Sequence, residues 1–346
     1  MDIVYTRRHK AHATDAVGEG ADGFEFLEVP ARAEVILTVL QAEALGPVIS
    51  PSDFGLAPIL DVHAAEYVDF LRTAYARNVD YLGRPAPVLA GRPAVTAERP
   101  AQRPSDDDFP ALRDYYTFDY EDPILEGTWD AAYWAAQCAL TAAVRVQGGE
   151  RVAYALCRPP GHHATADQYG GFCYLNNVAV ATRFMQRPGG SRAAILDLDY
   201  HHGNGTQSIF YADPDVLYCS LHADPAEDYP HYWGYASERG DGAGLGTVHN
   251  YPLPLFTEDV RYLAALDRAL ATIADFAPQF LLVSLGLDIA EDDLIGKFYV
   301  TRGGIAEIAR RVAALDLPTL LVQEGGYNLE TLGQNVATFL REFSSG

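Results

Sequence analysis

The chain contains the stretch Ile195-Leu196-Asp197-Leu198-Asp199-Tyr200-His201-His202-Gly203-Asn204, in which an apolar run is followed by acidic and imidazole side chains. The apolar half predicts a buried strand, and the polar half lies where that strand would end. In an extended chain, residues i and i+2 point to the same side, so Asp199 and His201 can converge on one cation. The stretch therefore predicts part of a metal site at a strand end.

A third metal ligand is expected from a second strand end. Asp288 closes the apolar run 280–287, just as Asp199 closes the run 193–198. Two carboxylates and one imidazole leave a coordination position open for water or a substrate oxygen, as catalytic zinc requires. The predicted zinc ligands are Asp199, His201 and Asp288. An Asp-x-His pair taken alone is more often a hydrogen-bonded pair than a ligand pair.

Two further strand ends carry groups that amide hydrolysis needs. His162 and His163 follow the apolar run 152–156 on a loop shaped by Pro and Gly, and a histidine can exchange a proton near neutral pH. Tyr327 follows a strand and two glycines, so its hydroxyl can approach and polarise a substrate carbonyl. Each feature alone has an ordinary structural explanation. Together, the four strand ends supply complementary parts of one mechanism.

The whole chain shows an alternation of strand-like and helical segments. Helical patterns at 128–146 and 257–276 are interspersed with apolar runs, which predicts a parallel sheet with helices on both faces. In such sheets ligands bind at the carboxyl ends of the strands, where the candidate residues lie. The predicted strands are 152–157, 193–198, 216–221, 280–287 and 319–323.

Several ordered segments resemble the zinc-dependent histone deacetylase superfamily, and within it the chain is most similar to bacterial acetylpolyamine amidohydrolases. The segments are 158–164, 170–177, 197–205, 220–222 and 324–327, with a weaker likeness at 30–32 and 62–67. The resemblance covers nearly the whole chain. It implies an α/β, single-domain arginase/deacetylase-like fold, with a mostly parallel β-sheet and helices on both faces.

The resemblance also implies roles for individual side chains. His163 would act as general base and acid, and Tyr327 would polarise the scissile carbonyl. His162 would give electrostatic support while contacting Asp197. His163 would contact Asn204, a position at which many histone-directed members carry Asp. An amide cannot stabilise an imidazolium as a carboxylate does, so the proton affinity of His163 should differ from that in the members that carry Asp at this position.

A monovalent cation, usually potassium, is implied beside the zinc strand, with a structural or modulatory role. The ligands that the resemblance implies for it are the side chains of Asp197 and Ser220 and the backbone carbonyls of Asp199, His201 and Leu221.

The segment 83–127 is rich in proline, acidic residues and tyrosine, and it lacks helical or strand periodicity. A loop of this length without regular structure is usually functional or disordered. In acetylpolyamine amidohydrolases an insertion here pairs subunits and narrows the channel, and Glu121 matches an acidic residue that meets the distal ammonium of the substrate. Phe172 and Tyr229 match the aromatic pair of the channel. The predicted substrate-contacting residues are Glu121, Gly171, Phe172, Tyr229 and Tyr327.

Composition limits the compartment and the partners. A chain of 346 residues that is 49% hydrophobic can bury one large core, so residues 1–346 are predicted to form a single catalytic domain. A net charge of -22 disfavours nucleic acid and anionic membranes and suits a cationic partner. No membrane-spanning run and no signal-peptide pattern is found, which predicts a cytoplasmic protein. Four isolated cysteines predict buried free thiols.

The residues and the resemblance together predict a zinc-dependent amidohydrolase that converts small cationic acetylated polyamines to free amine and acetate by a metal-activated water. One zinc ion per subunit, a structural potassium ion and a homodimer are expected. Two alternatives stay open. An acetyl-lysine protein deacetylase would use the same chemistry behind a more open rim, and a non-catalytic binder of acetylated ligands or polyamines would not need the complete catalytic set.

Overall fold

The computed structural model describes residues 1–17, 26–92, 102–186 and 190–345. Its strands form one sheet in which every described pairing is parallel. The strands are β1 (Asp2–Val4), β2 (Val48–Ile49), β3 (Val152–Ala155), β4 (Ala193–Asp197), β5 (Val216–Ala223), β6 (Val248–Leu253), β7 (Phe280–Leu285) and β8 (Thr319–Gln323). Their spatial order is β2-β1-β3-β8-β7-β4-β5-β6.

Helices connect most of these strands. They are α1 (Ala31–Ala42), α2 (Ala57–Leu60), α3 (Ala65–Leu82), α4 (Phe109–Tyr115), α5 (Thr128–Gln147), α6 (Asn177–Gln186), α7 (Asn204–Phe210), α8 (Asp259–Phe276), α9 (Arg302–Ala313) and α10 (Leu332–Ser345). Between two parallel strands the chain has to run back along the sheet before the next strand begins, and helices form most of these crossover connections.

Both faces of the sheet are covered, as the side chains of β4 show. Ala194 and Leu196 belong to a buried cluster with residues of α1, α8, α9 and α10. Ala193 and Ile195 point the other way, into a cluster with residues of α3, α5 and α6. Alternate residues of a strand face opposite sides, so a strand buried on both faces is apolar at every position. The predicted α/β fold, with a parallel sheet between two helical layers, is confirmed.

The strand predictions located the centre of the sheet and missed its margins. β3, β4, β5, β7 and β8 lie within a residue or two of the predicted runs. The missed strands β1 and β2 are very short, and β6 contains Pro252 and alternates between buried and half-buried residues. These margins lack the continuous apolar signal of a strand covered on both faces.

The expectation that segment 83–127 lacks regular structure is wrong for its second half. Asp108 accepts a hydrogen bond from the backbone N of Ala111 at 3.1 Å and caps α4. Val88 pairs with Ile124 through two backbone hydrogen bonds of 2.9 and 3.0 Å, which close the base of the segment. Phe109 and Leu112 are buried against α3. Residues 93–101, where two of the prolines lie, fall outside the described residues.

All four cysteines are buried and unpaired, which confirms the predicted free thiols. Among the helices that the structure describes, none combines the length and the apolar character needed to cross a bilayer.

A buried ion cluster ties the N-terminal segment to the sheet. Glu28 Oε1 lies 2.9 Å from Arg32 Nη1 and 2.8 Å from Arg158 Nε, and all three side chains are almost completely buried. Burial opposes ionisation of Glu28, but the charges of Arg158 and Arg32 hold the pKa of its carboxyl below the ordinary value. Arg158 donates to the carbonyls of His9 and His12 at 2.7 and 2.9 Å. One carboxylate therefore forms ion pairs with two guanidinium groups inside the protein.

Glu28→Gln should lower the free energy of unfolding by about 3–5 kcal/mol, because two buried guanidinium groups would lose their counter-charge. Urea denaturation measures the loss. The control is Glu342→Gln, which breaks a partly exposed pair with Arg310 and should cost less than about 1 kcal/mol. Equal losses in the two variants would contradict a special role for the buried cluster.

Candidate metal centre and active site

Three predicted ligands come together at the carboxyl ends of neighbouring strands. Because β4 pairs with β7 in parallel, with Asp197 opposite Ser284, the residues after both strands meet at one edge. His201 Nδ1 lies 3.3 Å from Asp199 Oδ1 and 3.1 Å from Asp288 Oδ2. One ligand atom from each of the three residues lies within 4.8 Å of the others, and all three residues are buried. The structure thus brings together the predicted Asp-His-Asp set.

Backbone donors orient both carboxylates. The N–H of Tyr200 donates to Asp288 Oδ1 at 2.9 Å, and the N–H of Gly325 donates to Asp199 Oδ2 at 2.9 Å. Two glycines leave the space that the carboxylates occupy. A Cβ on Gly286 would lie 2.0 Å from Asp199 Oδ2, and one on Gly325 would lie 2.5 Å from Asp288 Oδ2.

The cluster attracts positive charge. Burial lowers the pKa of His201, yet hydrogen bonds and charge from Asp199 and Asp288 raise it to about 10. Burial and the neighbouring Asp199 carboxylate raise the pKa of Asp288 to about 7. Two carboxylates and an imidazole suit a divalent cation, which would neutralise the charge that burial makes costly. The residues present therefore fit a metal ion.

His162 and His163 lie beside this cluster in different electrostatic settings. His162 Nδ1 lies 3.1 Å from Asp197 Oδ2; burial opposes its protonation, but Asp199 and Asp197 raise its pKa to about 10. His163 Nδ1 lies 2.7 Å from Asn204 Oδ1. Burial and the charges of His162 and His201 hold the pKa of His163 well below its ordinary value.

The contact with Asn204 determines which ring nitrogen of His163 carries the proton. An amide oxygen only accepts hydrogen bonds, so Nδ1 of His163 carries the proton and Nε2 keeps its lone pair. His163 also lines the cavity described below. The arrangement gives a neutral imidazole with one nitrogen available as a base.

Glu324 supports the histidine loop, a function that sequence reasoning did not assign to it. Its Oε2 accepts the backbone N–H groups of Gly161 and His162 at 2.6 and 3.2 Å, and its Oε1 accepts the hydroxyl of Ser284 at 3.2 Å. Glu324 directly follows β8 and begins the segment 324–327 that the family resemblance includes, so its position was visible in the sequence. Its contacts with the loop after β3 depend on the order of the strands in the sheet, so they could not be predicted from the sequence.

Tyr327 is held from two sides by residues that sequence reasoning also left without a role. The Arg32 guanidinium lies 4.6 Å from the centre of the Tyr327 ring, and it donates to the carbonyls of Gly326 and Glu324 at 2.6 and 2.7 Å. Asp293 Oδ2 accepts the backbone N–H of Tyr327 at 2.7 Å. The ring is therefore fixed near the metal cluster.

A cavity of about 370 Å³ opens above these groups. His163, His201 and Tyr327 are among its lining residues. Phe172 packs edge-on against Tyr327 with ring centroids 5.9 Å apart, and Tyr229 packs edge-on against His163 at 5.1 Å. The two predicted aromatic side chains both line the cavity wall.

A glycine is required at position 171, beside His163, for two reasons. It has a φ of +58°, a conformation that other residues rarely adopt, and a Cβ there would lie 2.4 Å from His163 Cδ2. The predicted acidic residue Glu121 is exposed, and it also lines the cavity. Segment 83–127 thus supplies part of the cavity wall.

The predicted potassium ligands lie on adjacent strands behind the metal cluster. Asp197 on β4 pairs in register with Ser220 on β5, and both are completely buried. Ser220 Oγ lies 2.7 Å from His222 Nδ1, and Leu221 follows on the same strand. Asp197 Oδ2 also accepts the hydroxyl of Tyr218 at 2.9 Å.

Comparison with known proteins agrees with this geometry. The family model for the histone deacetylase domain matches residues 26–343. The chain belongs to the histone deacetylase family. Acetylpolyamine amidohydrolase 1 of Pseudomonas aeruginosa is 44% identical over 99% of both chains, and the acetylpolyamine amidohydrolase of Mycoplana ramosa is 39% identical over 99% of both. The resemblance predicted from the motifs is confirmed.

Solved structures of the histone deacetylase family extend the match to the fold. The crystal structure of an acetylpolyamine aminohydrolase from Burkholderia pseudomallei superposes with a TM-score of 0.91 at 38% identity, covering 100% of this chain and 99% of that one. The HDA15 HD domain superposes with a TM-score of 0.81 at 26% identity, covering 100% and 91% of the two chains.

Asp288→Ala should strongly lower the amount of divalent metal that copurifies with the protein, because it removes one of three ligands and a charge that helps to hold the ion. Elemental analysis of purified protein gives the metal per chain. Asp267→Ala is the control, since Asp267 pairs with Arg311 on the surface and should retain full occupancy. Unchanged metal content in Asp288→Ala would remove this residue from the ligand set.

Proposed function

We propose that the protein is a zinc-dependent amidohydrolase that deacetylates acetylated polyamines to free amine and acetate. The observation that carries this proposal is the buried Asp199-His201-Asp288 cluster beside a neutral His163 and a cavity with aromatic walls and acidic residues. The names of the relatives at 39–44% identity favour the same substrate class. A cationic substrate also suits the net charge of -22.

Zinc is the metal that we propose for the Asp-His-Asp set, with Asp199, His201 and Asp288 as its ligands. When bound there, zinc would polarise the acetyl carbonyl and lower the pKa of a water molecule. Tyr327 would donate its hydroxyl to the same carbonyl oxygen as negative charge develops on it. The contacts of Arg32 and Asp293 hold Tyr327 in place for this role.

His163 would move the protons of the reaction. Its Nε2 takes a proton from the attacking water and returns it to the departing amine nitrogen, while Nδ1 stays bonded to Asn204. His162, hydrogen-bonded to Asp197, would give electrostatic support to the negative charge that develops at the reacting carbonyl. Because Asn204 is neutral, the protonated form of His163 is stabilised less than beside a carboxylate, which favours return of the proton to the leaving group.

Substrate selection would come from the cavity wall rather than from the metal ligands. Phe172 and Tyr229 would enclose the methylene chain, and Glu121 would attract the distal ammonium group. Gly171 gives the chain room to pass His163. An acetyl-lysine protein deacetylase would share the chemistry, but the close relatives carry the polyamine name and the anionic wall favours a free amine.

Three finer proposals follow the same family pattern. Potassium would bind beside β4 through the side chains of Asp197 and Ser220 and the carbonyls of Asp199, His201 and Leu221. Segment 83–127 would pair two subunits into a homodimer and narrow the channel entrance. A cytoplasmic location suits four buried, unpaired cysteines, because free thiols persist in a reducing compartment.

A substrate panel tests the proposed function. Protein stripped by a chelator should be inactive, and one equivalent of zinc should restore hydrolysis of acetylputrescine, acetylcadaverine, acetylspermidine and acetylspermine. An acetyl-lysine peptide should be a poorer substrate in the same acetate-release assay. Undiminished turnover without metal would overturn the mechanism, and a preference for the peptide would favour a protein deacetylase.

Tyr327→Phe should lower kcat by on the order of 100-fold or more with the metal still bound, because the variant lacks only the donor to the developing oxyanion. Steady-state kinetics and metal analysis on the same sample separate the two effects. Tyr299→Phe is the matched control, since Tyr299 is 45% exposed and does not line the catalytic cavity. A near-normal kcat in Tyr327→Phe would exclude the proposed role of its hydroxyl.

Glu121→Gln should lower kcat/KM for acetylpolyamines by about 10- to 100-fold, the value of a charge-assisted contact of roughly 1.5–3 kcal/mol. A neutral acetamide of similar length should be hydrolysed as before. Glu126→Gln, an exposed substitution in the same segment outside the cavity, should change neither rate. Equal losses for charged and neutral substrates would contradict an ammonium contact.

A further inference from the structure

A second carboxylate, that of Asp119, lines the cavity together with the exposed Glu121 and with His163. Asp119 is half-buried, and its Oδ2 accepts the backbone N–H of Gly171 at 3.2 Å. Its Oδ1 accepts the backbone N–H groups of Tyr120 and Glu121 at 2.6 and 3.2 Å. Gly171 in turn lies against the His163 ring. Asp119 is therefore held against Gly171, which lies between it and His163.

The hydroxyl of Tyr229 faces the same part of the cavity. The Tyr229 ring stands edge-on to His163, with centroids 5.1 Å apart, and its Oη is buried without a hydrogen bond of ordinary geometry to any described residue. Burial, the nearby charge of Asp119 and an interaction between the Asp119 carboxylate and the Tyr229 hydroxyl raise the pKa of Tyr229. The hydroxyl and the carboxylate therefore face the same part of the cavity, and the hydroxyl oxygen can still accept a hydrogen bond from a ligand.

Asp119 differs from the other half-buried carboxylate of the cavity in lacking a counter-ion. Asp228 Oδ2 lies 2.8 Å from Lys297 Nζ and also accepts the hydroxyl of Tyr200 at 2.7 Å. No lysine or arginine among the described residues forms an ion pair with the Asp119 carboxylate, whose hydrogen bonds of ordinary geometry come from backbone N–H groups. These donors hold the carboxylate in one orientation and leave lone pairs free for a cation.

We propose that Asp119 and the Tyr229 hydroxyl form a binding site for the inner secondary ammonium of an acetylated triamine, while Glu121 binds the terminal ammonium. This inference rests on the proposed function and narrows its substrate class. The inner ammonium of acetylspermidine is separated from the scissile amide by a short methylene spacer, which places it beyond His163 and before the channel mouth. Its two N–H groups match one carboxylate oxygen and one hydroxyl oxygen.

The test compares acetylspermidine with N-acetyl-1,8-diaminooctane, which has the same chain length and terminal ammonium but a methylene group in place of the inner amine. The wild-type enzyme should prefer acetylspermidine by about 10- to 100-fold in kcat/KM, as expected for a charge-assisted contact. Asp119→Asn should abolish this preference by lowering the value for acetylspermidine alone. Tyr229→Phe should reduce the preference several-fold.

Two controls isolate the inner ammonium. Asp228→Asn should leave the preference ratio unchanged, because the charge of Asp228 is already paired with Lys297. Glu121→Gln should lower both substrates equally, because both carry the terminal ammonium. Equal wild-type turnover of the two substrates, or an equal loss of both in Asp119→Asn, would overturn the assignment.

A binding measurement keeps this inference separate from the proposed function. If no acetylated amine were hydrolysed, the proposed function would be wrong, and calorimetric titration with free spermidine and 1,8-diaminooctane would still decide the ammonium site. Tighter binding of spermidine that disappears in Asp119→Asn would support the site. Equal affinities would overturn it.

Discussion

The parallel pairing of β4 with β7 is the constraint on which the site depends. It places the residues that follow both strands at one edge of the sheet, so Asp199 and Asp288 meet there. The hydrogen bond from the backbone N–H of Tyr200 to Asp288 spans 88 positions of the sequence. Two carboxylates this close repel each other in a buried setting, and positive charge between them stabilises the arrangement. Packing of both faces of the sheet thus brings two buried carboxylates together, and a bound cation would reduce the repulsion between them.

Protein groups surround this pair and hold its charge in place. Backbone N–H groups orient the carboxylates, glycines leave them space, and Glu324 fixes the loop that carries His162. Arg32 is shared between the Glu28 cluster and the Tyr327 ring, so it links the N-terminal segment to the candidate active site. Because the two clusters share this side chain, we expect a substitution in one of them to affect the other.

Sequence alone predicted the parts that have strong local signals. The five predicted strands are mainly apolar along their length. The convergence of Asp199 and His201 follows from the i, i+2 geometry of an extended chain. Supporting residues such as Asp293 escaped prediction because their partners come from distant loops. The helix α4 was missed because its seven residues carry little periodicity and lie within a Pro-rich segment. The family resemblance supplied Asn204 and Glu121, which no spacing rule would have selected.

In the proposed function, the chemistry and the selectivity reside in different parts of the chain. The proposed metal ligands follow core strands, where a shift of backbone would disturb the whole sheet, whereas Asp119 and Glu121 belong to a segment between α3 and α5 whose described residues form none of the strands of the sheet. Evolution can therefore exchange this segment and retain the hydrolytic machinery, so new amine preferences can arise within the lineage by loop divergence while the scaffold stays constant.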